Sequence, residues 1–303
     1  MFAIGFVLMF TFAYLEAFNF KKISFNLEIK NVLTFILPFT GFLISIIIFL
    51  ISINFDLSSP VIKENLVLLK DWRFYIVILS EIFGVWLFRK NYEINGNNLT
   101  AINFALFLSL VLVPVYSYFL SDLLGFQKTI MIGYQSPIEF YVFTGLILLS
   151  VIIFFFDKLK GKINNIFILF LLPVIFSNNM FVTSKIMQTY DPFFSYSIIV
   201  FFIALLFFIM AIKSKEFSKV NRSHLKLISY LSISWMIAIP ANTIAVKLLA
   251  VEFVTLLKRV SQLISGLILD KMYNKNNNKF SIKDYFIIFF ILFLGLGLYV
   301  LRG

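Results

Sequence analysis

Two adjacent cationic residues, Lys258 and Arg259, lie near the centre of an apolar segment that runs from Leu249 to Leu269. The segment has the length of a membrane-spanning helix, and Glu252 lies near its start. At the centre of a helix in lipid, each cation costs roughly 2.5 to 3.5 kcal/mol. Water, a ligand or an opposite charge must therefore face the pair. A guanidinium beside an ammonium is well suited to holding a phosphate or a carboxylate.

A helical projection of this segment gathers the polar residues on one side and aliphatic residues on the other. The polar side carries Thr255, Lys258, Arg259, Ser261, Gln262, Ser265 and Gly266. A polar stripe in contact with lipid would leave several groups unpaired, so the pattern predicts that this side lines a protein interior or a water-filled cavity. We interpret the stripe as the lining of a cavity that binds the substrate.

The composition indicates a membrane protein, and the scarcity of residues that could perform catalysis favours transport over enzymatic activity. The 303 residues are 61% hydrophobic and 14% charged, with a mean hydropathy of +0.97. The chain contains no cysteine, and the single histidine, His224, has no acid beside it in a basic loop. We therefore expect that the protein is not an enzyme and that it binds neither a metal ion nor a cofactor. The net charge of +11 is spread over short loops, so we expect the lipid bilayer rather than nucleic acid as a partner.

The spacing of the apolar segments predicts an all-α polytopic protein of the cytoplasmic membrane with ten transmembrane helices. The predicted spans are 2–20, 32–53, 72–88, 99–120, 138–156, 166–183, 192–212, 225–244, 249–269 and 285–301. Most lysine and arginine residues fall in the odd-numbered loops, which the positive-inside rule assigns to the cytoplasm. Both termini are then expected outside.

A weak internal repeat divides the chain into halves at 1–156 and 157–303. Residues 101–122 align with residues 250–271, so that Ser109 occupies the position of Lys258. The helix after each aligned stretch begins with a capping-box pair, Ser136/Glu139 in one half and Ser281/Asp284 in the other. Five spans in each half require opposite orientations in the membrane, and such inverted repeats are common in secondary transporters.

The run from 257 to 265, with its adjacent Lys and Arg followed by Ser261, Gln262 and Ser265, resembles the ninth helix of the triose-phosphate and phosphate translocators. The whole chain is similar to the EamA-like proteins of the drug/metabolite transporter superfamily. The resemblance implies ten helices in two inverted halves and a phosphate bound by Lys258 and Arg259. A second stretch, containing Ser184 and Lys185, resembles the sixth helix, and we include Lys185 in the site. The family's further lysine on the fourth helix has no counterpart, because residues 99–120 contain no lysine or arginine.

The predicted function is alternating-access transport of a small anionic or phosphorylated solute, with a coupling proton or a counter-substrate as partner. Three alternatives stay open. Glu81, in the third span, and Glu252 could pair with the two cations as a structural ion pair. Glu81 could instead bind a proton or a cation in an exporter of amino acids or amphipathic compounds. Lys258 and Arg259 could hold the head group of a phosphate-bearing lipid that the protein flips.

Overall fold

The computed structural model describes residues 2–24, 26–94 and 166–248, together with individual residues between 105 and 153 and between 254 and 290. These residues form helices, turns and short loops, and no strand occurs among them. The all-α prediction is confirmed for this part of the chain.

Seven α-helices have defined bounds, and we number them in chain order. They are α1 (Phe2–Ser24), α2 (Lys30–Ser52), α3 (Pro60–Leu66), α4 (Trp72–Ile94), α5 (Ile166–Thr189), α6 (Pro192–Lys213) and α7 (Arg222–Leu248). Short 3₁₀ helices cover Leu27–Ile29, Val67–Lys70 and Glu216–Lys219. All of the α-helices except the short helix α3 coincide with predicted membrane spans.

Four helical segments are long and apolar enough to cross a membrane: Lys30–Ser52, Phe170–Thr189, Pro192–Lys213 and Arg222–Val246. The chain therefore has the character of a membrane protein, and its described residues are all-helical apart from turns and short loops. The predicted spans 2–20 and 72–88 are helical, as α1 and α4, but they are not among these four segments, and α1 contributes only the shorter apolar stretch Val7–Asn19. The predicted spans at 99–120, 138–156, 249–269 and 285–301 lie largely outside the described residues, as do Glu252 and both capping-box pairs. The division into halves at 1–156 and 157–303 stays a prediction.

Helices α2 and α6 pack against each other through a ladder of phenylalanine pairs. The pairs are Phe35/Phe208, Phe42/Phe201 and Phe49/Phe194, with ring centroids 5.2, 5.3 and 5.0 Å apart. Successive pairs lie seven residues apart on both helices and run in opposite directions, so α2 and α6 are antiparallel. A seven-residue repeat is the signature of side-by-side helix packing, and tilted ring pairs add to it.

Helices α1 and α7 are also antiparallel, and one buried hydrogen bond joins them. The Ser234 hydroxyl donates to Asn19 Oδ1 at 2.8 Å. Helix α7 also packs on α2, where a Cβ at Gly41 would lie 3.4 Å from Trp235 Nε1. A methyl group would therefore fit at Gly41 at ordinary contact distance, and only a longer side chain would push α2 and α7 apart.

Two sets of hydrogen bonds join the ends of different helices. At one end, Glu216 caps α2 by accepting hydrogen bonds from the backbone N–H groups of Asn31 at 2.6 Å and Val32 at 3.1 Å. At the other end, Asp191 caps α6, and its own N–H donates to Asn65 Oδ1 at 2.7 Å. The loops that follow α1 and α6 therefore lie at the same end of these helices. This agrees with the predicted topology, in which both are odd-numbered loops on the same side of the membrane.

The chain divides into two compact units, Met1–Val85 with Val182–Ala250, and Trp86–Phe181 with Val251–Gly303. The packing of α1, α2, α6 and α7 belongs to the first unit. The Lys258–Arg259 pair belongs to the second.

Candidate functional site

The polar side of the 249–269 segment is buried in protein. The described residues of this segment are helical. Thr255, Lys258, Arg259, Ser261, Gln262 and Ser265 are all buried, and Arg259 is 0% exposed. Leu257 is buried as well, whereas Ile268 is 38% exposed. The helix therefore presents its cations and amides to the protein interior, as a polar stripe in a membrane requires.

Hydrogen bonds from two directions hold the guanidinium of Arg259. Its Nε donates to Ser109 Oγ at 2.6 Å, and its Nη1 donates to Gln262 Oε1 at 2.5 Å. Gln262 lies one turn further along the same helix, whereas Ser109 comes from the 99–120 segment. Ser109 in turn donates to the carbonyl of Leu106 at 2.6 Å, which fixes its own hydroxyl. The orientation of the guanidinium is thus set before any ligand arrives.

Helix α5 contributes an aromatic surface to this unit. The ring centroid of Phe176 lies 6.0 Å from Arg259 Cζ, which is the outer limit of a cation–π contact. Phe88 packs against the same ring, with centroids 5.7 Å apart. An apolar ring beside a buried cation lowers the local dielectric, which strengthens the attraction of that cation to an anion.

Two buried polar groups of the same unit have no hydrogen-bond partner among the described residues. One is Asn179 on α5, which is 2% exposed and whose Oδ1 and Nδ2 both lack a partner. The other is Ser261 Oγ. By contrast, Ser177 and Ser265 satisfy their hydroxyls by donating to carbonyls of their own helices.

The remaining predicted site residues, Glu81 and Lys185, belong to the first unit. Lys185 is 9% exposed on α5, and Glu81 is half-buried on α4. Tyr196, near the start of α6, interacts electrostatically with both Glu81 and Glu16 of α1. Glu81 on α4 and Glu16 on α1 therefore both lie within electrostatic range of this tyrosine.

His224 corrects one expectation, because it does have an acid nearby. Its Nε2 lies 3.1 Å from Glu28 Oε1, and its Nδ1 accepts a hydrogen bond from the Asn221 N–H. Glu28 lies in the 3₁₀ helix before α2, and the packing of the loop before α7 brings it close. No group of three or more histidine or acidic residues that could hold a metal ion occurs within the described ranges.

A polar cluster joins the start of α4 to the α5–α6 loop. Asp71 accepts from Arg73 in a charged pair at 2.6 Å and from the Tyr190 hydroxyl at 3.3 Å. Burial alone would raise the pKa of Asp71, but the hydrogen bonds and charge of Arg73 outweigh it, so the pKa lies below its usual value. Burial and the neighbouring carboxylate raise the pKa of Tyr190. The cluster is therefore charged at neutral pH and ties the two loops together.

The described part of the chain is thus all-helical with membrane character, and its second unit buries two cationic side chains. No protein-family model matches this chain, and no curated protein matches it.

The sequence missed three residues of these clusters. The sequence does contain a signal for Ser109. The predicted repeat aligns Ser109 with Lys258, and residues near a pseudo-two-fold axis contact their own counterparts. Asn179 also had a signal, since it follows Pro173 in a helix with a break. Glu16 had none, because its place near the end of the first span suggested contact with the membrane interface.

Proposed function

We propose that the protein is a secondary transporter of the cell membrane that moves a small anionic metabolite by alternating access. Lys258 and Arg259 bind the anionic group, which is a phosphate or a carboxylate. Gln262 and Ser109 orient the guanidinium, and Thr255, Ser261 and Ser265 line the polar side of the same helix.

One observation carries this proposal: two cationic side chains are buried at the centre of a membrane-length apolar segment, one of them with its guanidinium held in a fixed orientation. Ionisable groups that are buried within membranes mark ligand and ion pathways. A preoriented fork also loses little conformational entropy when it takes a bidentate anion.

Two features support the inverted-repeat architecture that alternating access uses. The hydrogen bond between Ser109 and Arg259 joins the two aligned segments next to their equivalent positions. The hydrogen bonds at the ends of α2 and α6 require an even number of crossings between these helices. The predicted spans at 99–120 and 138–156, together with α4 and α5, make four crossings, which is an even number.

Ligand-induced stabilisation of the purified protein tests the proposal. A ligand that binds only the folded state at 100 times its Kd stabilises that state by about 2.7 kcal/mol. We expect glycerol 3-phosphate or inorganic phosphate to raise the Tm of the wild type, and Lys258→Gln with Arg259→Gln to abolish the rise. The matched control is Lys213→Gln with Arg222→Gln, which removes the same two charges from exposed helix ends. An equal rise in both double variants would contradict the proposal.

A second candidate function is transport of a cation or coupling to protons through Glu81. The observation that favours it is the half-buried position of Glu81 on α4, because ionisable groups within a membrane mark ion pathways and proton relays. Glu81→Gln would then abolish transport driven by a pH gradient while leaving anion-induced stabilisation intact. Loss of both readouts would instead favour a structural role for Glu81.

A further inference from the structure

We infer that Asn179 is a ligand-contacting residue that selects anions carrying a hydroxyl or carboxamide group. The inference rests on the proposed anion site and adds to it a residue that recognises the uncharged part of the ligand.

The first step is the state of the amide itself. Asn179 is 2% exposed, and neither its Oδ1 nor its Nδ2 has a hydrogen-bond partner among the described residues. A buried amide can accept at its oxygen and donate twice from its nitrogen, so leaving it unsatisfied is costly and rare in native structures. A ligand that enters the site and supplies both partners accounts for this cost.

The second step is position. Asn179 follows Phe176 by three residues on α5, so the two side chains lie on neighbouring parts of one helix surface. The Phe176 ring is the one that contacts Arg259. Ser261, on the Arg259 helix, contributes a second buried hydroxyl that lacks a partner. The two unsatisfied groups therefore belong to the same compact unit as Arg259, and Asn179 also shares a helix surface with the ring that contacts this cation.

The third step is ligand chemistry. A carboxamide offers one acceptor and two donors and carries no net charge. Its complement is a neutral group that can donate and accept at once, which is a hydroxyl or another carboxamide. A site that hydrogen-bonds such a group discriminates strongly against the analogue that lacks it, because the buried amide is then left unpaired.

The experiment compares glycerol 3-phosphate with n-propyl phosphate, which has the same charge and chain length but no hydroxyl. We expect the wild type to bind glycerol 3-phosphate at least about tenfold more tightly, which corresponds to one net hydrogen bond. In Asn179→Leu, a change of similar shape, this preference should disappear while affinity for n-propyl phosphate stays within about twofold. Lys258→Gln with Arg259→Gln should lose both ligands.

A second measurement uses the ligand-free protein. Because Asn179→Leu removes an unsatisfied buried amide, its Tm should equal or exceed that of the wild type. The matched control is Asn91→Leu, in which the replaced amide is also buried but donates to the Leu87 carbonyl, so its change in Tm should be less favourable than that of Asn179→Leu. A fall for Asn179→Leu would indicate a structural amide and overturn the inference.

The outcomes separate the inference from the proposed function. If the wild type binds both phosphates through Lys258 and Arg259 but Asn179→Leu keeps the preference, the inference alone is wrong. If neither phosphate binds the wild type, both fail.

Discussion

Ser109→Ala tests whether the guanidinium of Arg259 is held from a second helical segment. The change removes the oxygen that accepts from Arg259 Nε at 2.6 Å and leaves a buried charged donor without that partner. An unsatisfied donor of this kind costs about 1 to 3 kcal/mol of unfolding free energy. With about 2 °C per kcal/mol for a chain of this size, the Tm should fall by roughly 2 to 6 °C.

Ser177→Ala is the matched control. Ser177 is also 0% exposed and lies in the same compact unit, but its hydroxyl donates to the Pro173 carbonyl of its own helix. The two variants delete the same atom from equally buried sites, and only Ser109→Ala removes a bond between segments. We expect the Tm of Ser177→Ala to lie within about 1 °C of the wild type, since such intrahelical bonds contribute little.

Thermal unfolding of the purified protein in detergent provides the measurement, with and without glycerol 3-phosphate. Ser109→Ala should also weaken binding of that ligand by several fold, because the guanidinium loses part of its preorganisation. Equal Tm values for Ser109→Ala and Ser177→Ala, together with unchanged affinity, would refute the assigned role of Ser109.

Three further variants probe the helix ends and the α2–α7 contact. Glu216→Gln should lower the unfolding free energy by about 1 to 3 kcal/mol in a denaturation experiment, because the charged cap of α2 is lost. The lowered pKa of Asp71 makes its pairing with Arg73 stabilising at neutral pH and progressively lost as pH falls through that pKa. Asp71→Asn should therefore flatten the acid side of a Tm-against-pH profile. Gly41→Ala should lie within about 1 kcal/mol of the wild type, whereas Gly41→Leu should cost about 1 to 3 kcal/mol in the same denaturation experiment, because only the larger side chain collides with Trp235.

Periodicity and length in the sequence predict helices well, because lipid solvation imposes one long apolar stretch for each crossing. The starts of α2, α6 and α7 fall within about three residues of the predicted spans. The helix partners were not predictable in this way. The phenylalanine ladder between α2 and α6 has a seven-residue spacing that can be seen in the sequence, but an aromatic-rich chain offers many such spacings.

The candidate site likewise combines residues that the sequence predicts with residues whose roles depend on helix packing. The polar side of the 249–269 segment could be predicted, because a charge in an apolar run is conspicuous and its helical neighbours follow from geometry. The contributions of Ser109 and Phe176 depend on which helices pack together, and no local pattern encodes that. The break at Pro173 draws attention to Asn179 in the sequence, but its significance comes from burial without a hydrogen-bond partner among the described residues.

Anion transport by the wild type and the charge-deleted protein tests the central claim most directly. Proteoliposomes loaded with phosphate would be assayed for uptake of labelled glycerol 3-phosphate and inorganic phosphate. Saturable uptake by the wild type, its loss in Lys258→Gln with Arg259→Gln, and its retention in Lys213→Gln with Arg222→Gln are the predicted results. Equal saturable anion uptake by the wild type and the Lys258/Arg259 double variant would contradict the account.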